Sequence, residues 1–549
     1  MKTSRRRALP IDFIAMPDLI HQSIPHSAQV TPDAPALLFK DQTFTYRQVQ
    51  HRVEQAANAL LGLGIGPGER VAVYLPKQPE AVFSLFGAAA AGACFVPINP
   101  LLKPHQVAYI LTHCGVKVLI TSAPRLALLV GVCDTCPDLH TIVLAEDQAP
   151  EEATPLPQRL MGYKGFCDLS GDNVEPHRRI DTDMAAILYT SGSTGSPKGV
   201  VLSHRNMVAG AHSVTGYLGN SSTDRVLAVL PLSFDAGLSQ LTTAFSVGAA
   251  VVLMDYLLPR DVLRAVVRYG ITGLAAVPSL WNQLKELEWP VQATQSLRYI
   301  TNTGGAMPVS TTRTLQQILP STDIFLMYGL TEAFRSTYLP PDQVNVRPHS
   351  IGKAIPNAQI LVINAEGREC APNEPGELVH CGVLVSLGYW NDPDETAERF
   401  KPCLHSSPEM ASTELAVWSG DQVMKDEEGY LYFISRNDEM IKTSGYRVSP
   451  TEIEDIIHGT GLVTEAVAMG LPHAALGQAI LLVVTPALGA KVDDTLKNAV
   501  LSRCRRELPN FMVPAIVTVQ DILPHNANGK IDRRMLFEQY QTMFQDDSP

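Results

Sequence analysis

Apolar runs rich in β-branched residues alternate with amphipathic stretches along the first part of the chain. The apolar runs predict strands at 70–75, 95–98, 118–121, 185–190, 226–231 and 249–254. Between them, apolar residues recur every three or four positions, which predicts helices at 46–62, 103–114 and 259–269. Strand, helix, strand in this order is typical of a mostly parallel sheet covered by helices. The sequence therefore predicts an α/β fold.

The pattern changes twice in the second half of the chain. Residues 345–435 carry short β segments between Gly and Pro turns, which predicts a smaller β-rich subdomain of the same large unit. A polar run beginning at Ser435 then leads into the pattern of a small α+β domain. We expect an N-terminal core over 1–435 and a small, mobile C-terminal lid domain over 436–549. Its first helix should begin with Ser449 as N-cap, Pro450 and Glu452 completing a capping box.

Size and composition narrow the class of protein. A chain of 549 residues is too long for one hydrophobic core, which stops growing at roughly 250–300 residues. The net charge of −12 argues against binding of nucleic acid or of an anionic membrane. The longest apolar run, 81–96, is shorter than the roughly 20 residues that a membrane span needs. Nine scattered cysteines give no disulfide framework, so we expect a reducing, cytoplasmic location.

Residues 189–199 carry the strongest local chemical signal, a loop of glycines and hydroxyl residues that ends in a lysine. Glycine lets backbone N–H groups approach a polyphosphate closely, hydroxyls donate hydrogen bonds and lysine adds positive charge. The loop lacks the Walker A spacing and runs into the β-branched pair Val200-Val201, not into a helix. We therefore predict a phosphate-binding loop between two strands. Its sequence is Tyr189-Thr190-Ser191-Gly192-Ser193-Thr194-Gly195-Ser196-Pro197-Lys198-Gly199.

This loop resembles the phosphate-binding signature of the adenylate-forming superfamily of acyl-CoA synthetases, amino-acid adenylation enzymes and luciferases. Other motifs of that family follow in the same order across nearly the whole chain. One departure is Ser435, where glycine is usual in the family's hinge motif. The matching segments are Thr303-Gly304-Gly305-Ala306, Tyr328-Gly329-Leu330-Thr331-Glu332, Trp418-Ser419-Gly420-Asp421, Ser435-Arg436-Asn437-Asp438, Lys442–Val448 and Asn528-Gly529-Lys530-Ile531-Asp532.

The resemblance implies a role for each matching residue. Lys530, Glu332 and Thr331 would be catalytic, and Glu332 with Thr190 would hold Mg²⁺. Asp438 would be the hinge of the lid, and Lys442 and Gly445 would line a thiol tunnel. ATP would be bound by Thr190, Ser191, Gly192, Ser193, Thr194, Gly195, Lys198, Gly304, Gly305, Ala306, Tyr328, Gly329, Thr331, Asp421, Arg436 and Lys530.

Elementary chemistry supports these roles. Adenylation joins a carboxylate to the α-phosphate of ATP, so two anions must be brought together by cations. Mg²⁺ at Glu332 and the ammonium of Lys530 would meet that need. The ring of Tyr328 offers adenine a stacking face, worth about 1–3 kcal/mol by analogy with base stacking. The carboxylate of Asp421 suits the two hydroxyls of a ribose.

The acid to be activated is less defined. Phe234-Asp235 resembles amino-acid-activating members of the family, in which the aspartate pairs with the ammonium of the substrate. A buried carboxylate needs such a partner. Two alternatives remain open: Asp235 caps the helix that follows it, or it pairs with Arg335. Arg335 would itself suit a second carboxylate or another polar group of the acid.

The sequence as a whole, notably Ile98-Asn99-Pro100 and 328–339, is most similar to acyl-CoA ligases associated with exosortase A systems. The interpretation is an AMP-forming ligase that converts a carboxylic acid and MgATP to an acyl-adenylate and then transfers the acyl group to a thiol. The thiol would be that of CoA. Alternatives are amino-acid loading onto the phosphopantetheine of an acyl or peptidyl carrier protein, and a non-catalytic nucleotide-binding protein.

Overall fold

The fold is taken from a computed structural model that describes residues 17–147, 157–169, 175–190, 196–404, 409, 414–436, 440–487, 494–524 and 531–544. Several predicted site residues lie outside these ranges, and the side chain of Arg436 is outside the description as well. The residues outside are Ser191, Gly192, Ser193, Thr194, Gly195, Asp438 and Lys530.

The α-helices of the described ranges are distributed along the whole chain. They are α1 (Ser23–Val30), α2 (Tyr46–Gly62), α3 (Pro79–Ala91), α4 (Pro104–His113), α5 (Ala123–Leu129), α6 (Tyr163–Cys167), α7 (His204–Leu218), α8 (Asp235–Ser246), α9 (Pro259–Tyr269), α10 (Pro278–Leu284), α11 (Val291–Ser296), α12 (Val309–Ile318), α13 (Pro393–Arg399), α14 (Pro450–His458), α15 (Asp494–Glu507) and α16 (Arg533–Tyr540).

The strands alternate with the helices up to β14 and then follow one another more directly. They are β1 (Pro35–Phe39), β2 (Gln42–Thr45), β3 (Arg70–Val73), β4 (Cys94–Pro97), β5 (Val116–Thr121), β6 (Thr141–Leu144), β7 (Arg159–Gly162), β8 (Met184–Thr190), β9 (Lys198–Ser203), β10 (Arg225–Ala228), β11 (Ala250–Leu253), β12 (Gly273–Ala276), β13 (Tyr299–Asn302), β14 (Asp323–Tyr328), β15 (Thr337–Leu339), β16 (Ser350–Ala354), β17 (Ala358–Ile363), β18 (Gly376–Gly382), β19 (Phe400–Pro402), β20 (Leu415–Lys425), β21 (Leu431–Arg436), β22 (Ile441–Thr443), β23 (Tyr446–Val448), β24 (Val463–His473), β25 (Gly477–Pro486) and β26 (Ile516–Val519).

Two large sheets and one small sheet organise these strands. A seven-stranded sheet has the order β7-β6-β5-β3-β4-β8-β9 and is parallel except for the β8–β9 pair. A fourteen-stranded sheet has a parallel part, β1 with β10 to β14, that continues into antiparallel strands β15 to β21. The predicted α/β fold of mostly parallel, helix-covered sheets with a β-rich part is confirmed.

The main core lies where helices α2, α3 and α8 pack against the two large sheets. The Ala-rich helix α3 is buried on nearly all sides, and its small residues let α2 approach closely. A Cβ atom added at Gly87 would come within 2.7 Å of the Cβ atom of Ala56. The run at 81–96 is thus a buried helix followed by strand β4, and no helix within the described part of the chain is long and apolar enough to cross a membrane.

The free edge of the seven-stranded sheet is covered by an extended segment of residues 387–390. Val201 of the edge strand β9 donates its N–H to the carbonyl of Gly388 and accepts from the N–H of Leu387. Trp390 donates its backbone N–H to the carbonyl of Gly199. Gly199 and Val201 of β9 are therefore hydrogen-bonded to this segment on the side that faces away from β8.

The described residues between 440 and 544, which we call the small lobe, form a five-stranded sheet of β22 to β26 with α14 to α16. Alternate residues of β24 and β25 enter two different apolar clusters, so this sheet is buried on both faces. Helix α14 begins after Ser449 as predicted, but the capping box is wrong. The Ser449 side chain makes no cap hydrogen bond, and Glu452 accepts a hydrogen bond from Gln106 of α4.

Candidate active site between the large sheets and the small lobe

The predicted phosphate loop joins two antiparallel strands. Strand β8 ends at Thr190, strand β9 begins at Lys198, and these two residues lie opposite each other in the sheet. The prediction that the loop runs into a strand and not into a helix is confirmed. The register holds the two ends of the loop side by side, at the edge of the seven-stranded sheet.

Lys198 is held in place by partners that the sequence did not indicate. Its Nζ atom lies 2.5 Å from Oε1 of Glu395, with both side chains largely buried at 11% and 18% exposure. The same nitrogen lies 5.6 Å from the centroid of the Tyr389 ring. The lysine that would meet the phosphates of ATP is thus oriented by a carboxylate on α13 and by an aromatic face.

A cavity of about 1,110 Å³ contains the residues predicted to surround adenine. It is lined by the segment 304–306 and by Tyr328 and Gly329. These groups meet because β13 and β14 are parallel neighbours, so the segments that follow them leave the sheet at the same edge. The Tyr328 hydroxyl donates a 2.6 Å hydrogen bond to Oδ2 of Asp421. The aromatic ring and the carboxylate predicted to bind adenine and ribose are therefore in direct contact.

Glu332 lies on a single 3-10 turn directly after this segment and is 6% exposed. The Tyr389 hydroxyl donates a 2.8 Å hydrogen bond to its Oε1 atom. Burial, and then the neighbouring Glu332, raise the pKa of Tyr389, which keeps the phenol protonated as a donor. The carboxylate is therefore fixed in one orientation.

The residues present fit a magnesium ion that shares its coordination with phosphates. Glu332 and the hydroxyl of Thr190 are hard oxygen donors, the kind that Mg²⁺ prefers. No group of three or more His, Cys, Asp or Glu side chains suited to a metal occurs within the described ranges. Mg²⁺ commonly takes one or two carboxylates and completes its shell with substrate phosphates and water, and this donor set matches that arrangement.

A second cavity, of about 640 Å³, contains the predicted acid pocket. Phe234 is the N-cap residue of α8 and Asp235 its first residue, and the Asp235 carboxylate accepts hydrogen bonds from backbone N–H groups of this first turn. Arg335 approaches Asp235, with 3.8 Å between Nη1 and Oδ2, and donates a 2.9 Å hydrogen bond to Oγ1 of Thr303. Burial raises the pKa of Asp235, and Arg335 opposes this rise. The structure therefore contains both alternatives in part, since the Asp235 carboxylate meets the first turn of α8 and also Arg335.

Sequence reasoning missed a second ion pair in the same cavity. The Nζ atom of Lys77 lies 2.9 Å from Asp255 and donates a 2.8 Å hydrogen bond to the carbonyl of Val229. Burial lowers the pKa of Lys77, and Asp255 opposes this shift. Both residues line the acid pocket. Their positions in the sequence could have indicated this contact. Lys77 and Val229 each follow a parallel strand, and ligands bind at the edge where such strands end.

The two cavities meet at four residues that line both of them: Gly304, Gly329, Lys442 and Gly445. Gly445 has a φ of +81°, and a Cβ atom added there would lie 2.5 Å from Cγ1 of Val277. Glycine is required because a side chain has neither the space nor the backbone conformation. The predicted tunnel segment of the small lobe is therefore inserted between the nucleotide cavity and the acid pocket.

Aromatic rings continue this contact between the small lobe and the acid pocket. The ring of Tyr446 meets that of Phe234 edge-on at 5.3 Å between centroids. On its other side, Tyr446 stacks on Phe511 at 3.9 Å. Residues on both sides of the junction thus close one end of the acid pocket.

Hydrogen bonds fix the small lobe against two helices that pack on the large sheets, α4 and α10. The Nε2 atom of Gln106, on α4, donates a 2.6 Å hydrogen bond to Oε1 of Glu452. The Nδ2 atom of Asn282, on α10, donates to the carbonyl of Ala474 at 2.9 Å. Burial at this contact raises the pKa of Glu452 to about 7, and the Gln106 hydrogen bond opposes the rise. This is the interaction that replaces the predicted capping box.

Comparison with known proteins identifies the family. Residues 24–390 match the family model of AMP-binding enzymes, and residues 452–530 match the C-terminal domain of AMP-binding enzymes. The chain belongs to this family of adenylate-forming ligases.

Its relatives include two kinds of enzyme. The chain is 29% identical to part of bacitracin synthase 3 of Bacillus licheniformis over 95% of its own length, but it spans only 8% of that protein. It is 29% identical to the long-chain-fatty-acid–CoA ligase of Escherichia coli O157:H7, with 96% of this chain and 95% of the relative covered.

Solved structures resemble the whole fold. The o-succinylbenzoate CoA synthetase MenE of Bacillus subtilis has a TM-score of 0.80 at 24% identity, covering 94% of this chain and 97% of that one. The amide bond synthetase McbA of Marinactinospora thermotolerans has a TM-score of 0.81 at 21% identity, covering 95% and 99%. At these identities the similarity concerns the fold alone.

Proposed function

We propose that the protein is an AMP-forming acid–thiol ligase with CoA as its acceptor. The observation that carries the proposal is the meeting of two cavities at Gly304, Gly329, Lys442 and Gly445. One cavity is lined by an aromatic ring suited to a nucleobase, that of Tyr328, whose hydroxyl is hydrogen-bonded to the carboxylate of Asp421, and the other is a largely apolar pocket. A carboxylate in the second cavity and a nucleotide in the first would face each other across this junction.

The reaction has two steps. In the first, a carboxylate oxygen of the acid attacks the α-phosphorus of ATP, and the bond to pyrophosphate breaks. In the second, the thiol sulfur attacks the acyl carbon of the adenylate; AMP leaves and the thiol proton is released. The substrates carry the reacting bonds, so the protein acts by orientation and charge.

The roles of the side chains follow from this chemistry. Lys530 offsets the charge that builds up between carboxylate and phosphate, while Thr331 donates a hydrogen bond to the α-phosphate. Glu332 and Thr190 would hold Mg²⁺, which would supply positive charge to the phosphates when bound. Tyr389 keeps the Glu332 carboxylate oriented.

The small lobe would serve both steps by rotating. We infer a division of the chain at about 435/436, with Asp438 as the hinge. In the present arrangement the Gly445 segment occupies the junction, which suits the second step because a glycine leaves room for a thin thiol arm. Rotation about the hinge would exchange this segment for Lys530 in the first step.

CoA is favoured as acceptor because the fatty-acid–CoA ligase relative matches over 95% of its own length. The second candidate is loading of an amino acid onto a carrier protein. It is favoured by the Phe234-Asp235 pair and by the match to bacitracin synthase 3. The kinship with ligases associated with exosortase A systems stays a prediction.

The decisive experiment is carboxylate-dependent exchange of pyrophosphate into ATP with a panel of fatty, aryl and amino acids. Exchange should depend on the acid and on Mg²⁺, and CoA should convert the active acids to thioesters. A carrier protein bearing phosphopantetheine is the parallel arm, and loading of the carrier without CoA turnover would favour the second candidate. ATP binding without exchange for any acid would contradict the proposal.

A further inference from the structure

Helix α4 carries a stripe of side chains that have no role in the proposed reaction. Gln106, Tyr109 and His113 are spaced by three and four residues, so they lie on one face of the helix. Neighbouring apolar residues such as Val107 and Ile110 are fully buried in the core. The helix is therefore a fixed element that presents the stripe at a constant spacing.

The first turn of α4 orients the side chain that contacts the small lobe. Oε1 of Gln106 accepts a 2.9 Å hydrogen bond from the N–H of Lys103, which precedes the helix. This bond sets which end of the amide points outward, so Nε2 is directed to Glu452 of the small lobe at 2.6 Å. The Nζ atom of Lys103 adds a 3.4 Å hydrogen bond to the carbonyl of Arg505.

The last turns of α4 hold the two ends of the phosphate loop. The Tyr109 hydroxyl donates a 3.2 Å hydrogen bond to the carbonyl of Pro197, at the end of the loop. The Tyr109 ring stacks on His113 with 5.1 Å between centroids. Nδ1 of His113 lies 2.8 Å from the hydroxyl of Tyr189, at the start of the loop.

We propose that α4 couples docking of the small lobe to the position of the phosphate loop, with Gln106 and Tyr109 as positioning residues. The inference rests on the proposed function, in which the loop grips a triphosphate in the first step and the lobe docks as seen here in the second. The two contacts are separated by only about one helical turn of a rigid element. Docking at Gln106 and the loop position held by Tyr109 therefore favour each other.

A double-mutant cycle tests this coupling. Tyr109→Phe removes the bond to Pro197 and keeps the stacking on His113, while Glu452→Ala removes the docking contact. Each change alone should slow thioester formation from the adenylate about threefold to tenfold. Because both break the same linkage, the double variant should be no more than about twofold slower than the slower single variant.

The matched control breaks docking at the other helix. Asn282→Ala removes the bond to Ala474 on α10, so its effect should multiply with that of Tyr109→Phe. Tyr109→Phe should also raise the KM for ATP and leave the KM for the acid unchanged, which a general loss of stability would not do. His105→Ala, an exposed residue of α4 outside the stripe, should change none of these.

Multiplying effects in the Glu452–Tyr109 cycle, as in the Asn282 control, would overturn the coupling and leave the proposed function intact. An unchanged KM for ATP in Tyr109→Phe would also contradict the role of Tyr109. Absence of pyrophosphate exchange in the unmodified protein would overturn the proposed function, and the coupling with it.

Discussion

The proposed nucleotide cavity and the proposed acid pocket are built in different ways. Around the nucleotide cavity, polar side chains have close partners: Tyr328 with Asp421 at 2.6 Å, and Tyr389 with Glu332 at 2.8 Å. In the acid pocket, the pair that faces the predicted substrate, Arg335 with Asp235, is separated by 3.8 Å within largely apolar walls. Because Lys77 and Asp255 of the same pocket pair at 2.9 Å, the looser arrangement concerns the Arg335–Asp235 pair alone.

This difference indicates how each side should respond to substitution. Every acid activated by an enzyme of this kind meets the same ATP, so the nucleotide groups need one geometry. The acid varies, and a pocket with a loose ion pair can exchange one polar partner for another. We therefore expect large, substrate-independent losses on the nucleotide side and smaller, substrate-dependent losses in the acid pocket.

The largest effect is expected for Lys530→Ala. Loss of the cation that offsets carboxylate and phosphate charge should slow pyrophosphate exchange by about 10³-fold or more for every acid, with ATP binding retained. Exchange kinetics and ATP titration measure the two quantities. Lys497→Ala, on the exposed face of α15, is the matched control. Near-normal exchange in Lys530→Ala would remove this residue from the mechanism.

Glu332→Gln should rank second, with about a 10²-fold loss of exchange for all acids alike. The amide keeps the shape but removes the negative charge that attracts Mg²⁺. Tyr389→Phe should cost less, about fivefold, because it removes one orienting hydrogen bond and leaves the charge. Activity at increasing Mg²⁺ concentration should recover partly in both variants. A loss of exchange with some acids only would contradict the expected difference between the nucleotide cavity and the acid pocket.

Gly445→Ala should affect the junction at which the cavities meet. The new Cβ atom would lie 2.5 Å from Val277 at a φ that favours glycine, so the small lobe cannot dock as it does here. Thioester formation should fall at least tenfold while pyrophosphate exchange stays within about threefold of normal. Gly461→Ala, also at positive φ but without neighbours within 4 Å, controls for backbone strain. Equal loss of pyrophosphate exchange and of thioester formation would argue against separate arrangements of the small lobe for the two steps.

Asp235→Ala tests the acid pocket itself. If Asp235 meets a substrate ammonium, amine-bearing acids should lose about tenfold more kcat/KM than plain acids of the same length. Arg335→Ala is the complementary variant, since it removes the other half of the pair. Equal losses for amine-bearing and plain acids would mean that Asp235 only balances the charge of Arg335.

The last prediction concerns pH. The pKa of Glu452 is raised from 4.5 to about 7 where the small lobe docks. Docking therefore favours the protonated carboxyl: its contribution is complete below about pH 4.5 and is lost as pH rises through 7. The ratio of thioester formation to exchange should fall about threefold to tenfold from pH 5 to 8. Glu452→Gln should flatten this profile, and a rising ratio would contradict the assignment.

The sequence indicated the residues grouped around Tyr328 more readily than those of the second cavity, because the signals for the first group are local. The phosphate loop and the segment at Tyr328 are short motifs, and their placement follows from strands that end at one edge. The Lys198–Glu395 and Lys77–Asp255 pairs join distant segments, and no local pattern indicates them. The capping box was wrong because a tertiary contact, Gln106 with Glu452, uses the glutamate that the local motif assigned to the helix end.

The segment 387–390 has a consequence beyond the active site. An uncovered strand β9 would offer a row of unpaired backbone groups to another copy of the chain, a common route to aggregation. Because the same segment carries Tyr389, which orients Glu332, protection of the sheet edge and support of the proposed metal ligand depend on one stretch of backbone. Substitutions that loosen it should lower solubility and activity together, even though they leave both cavities unaltered.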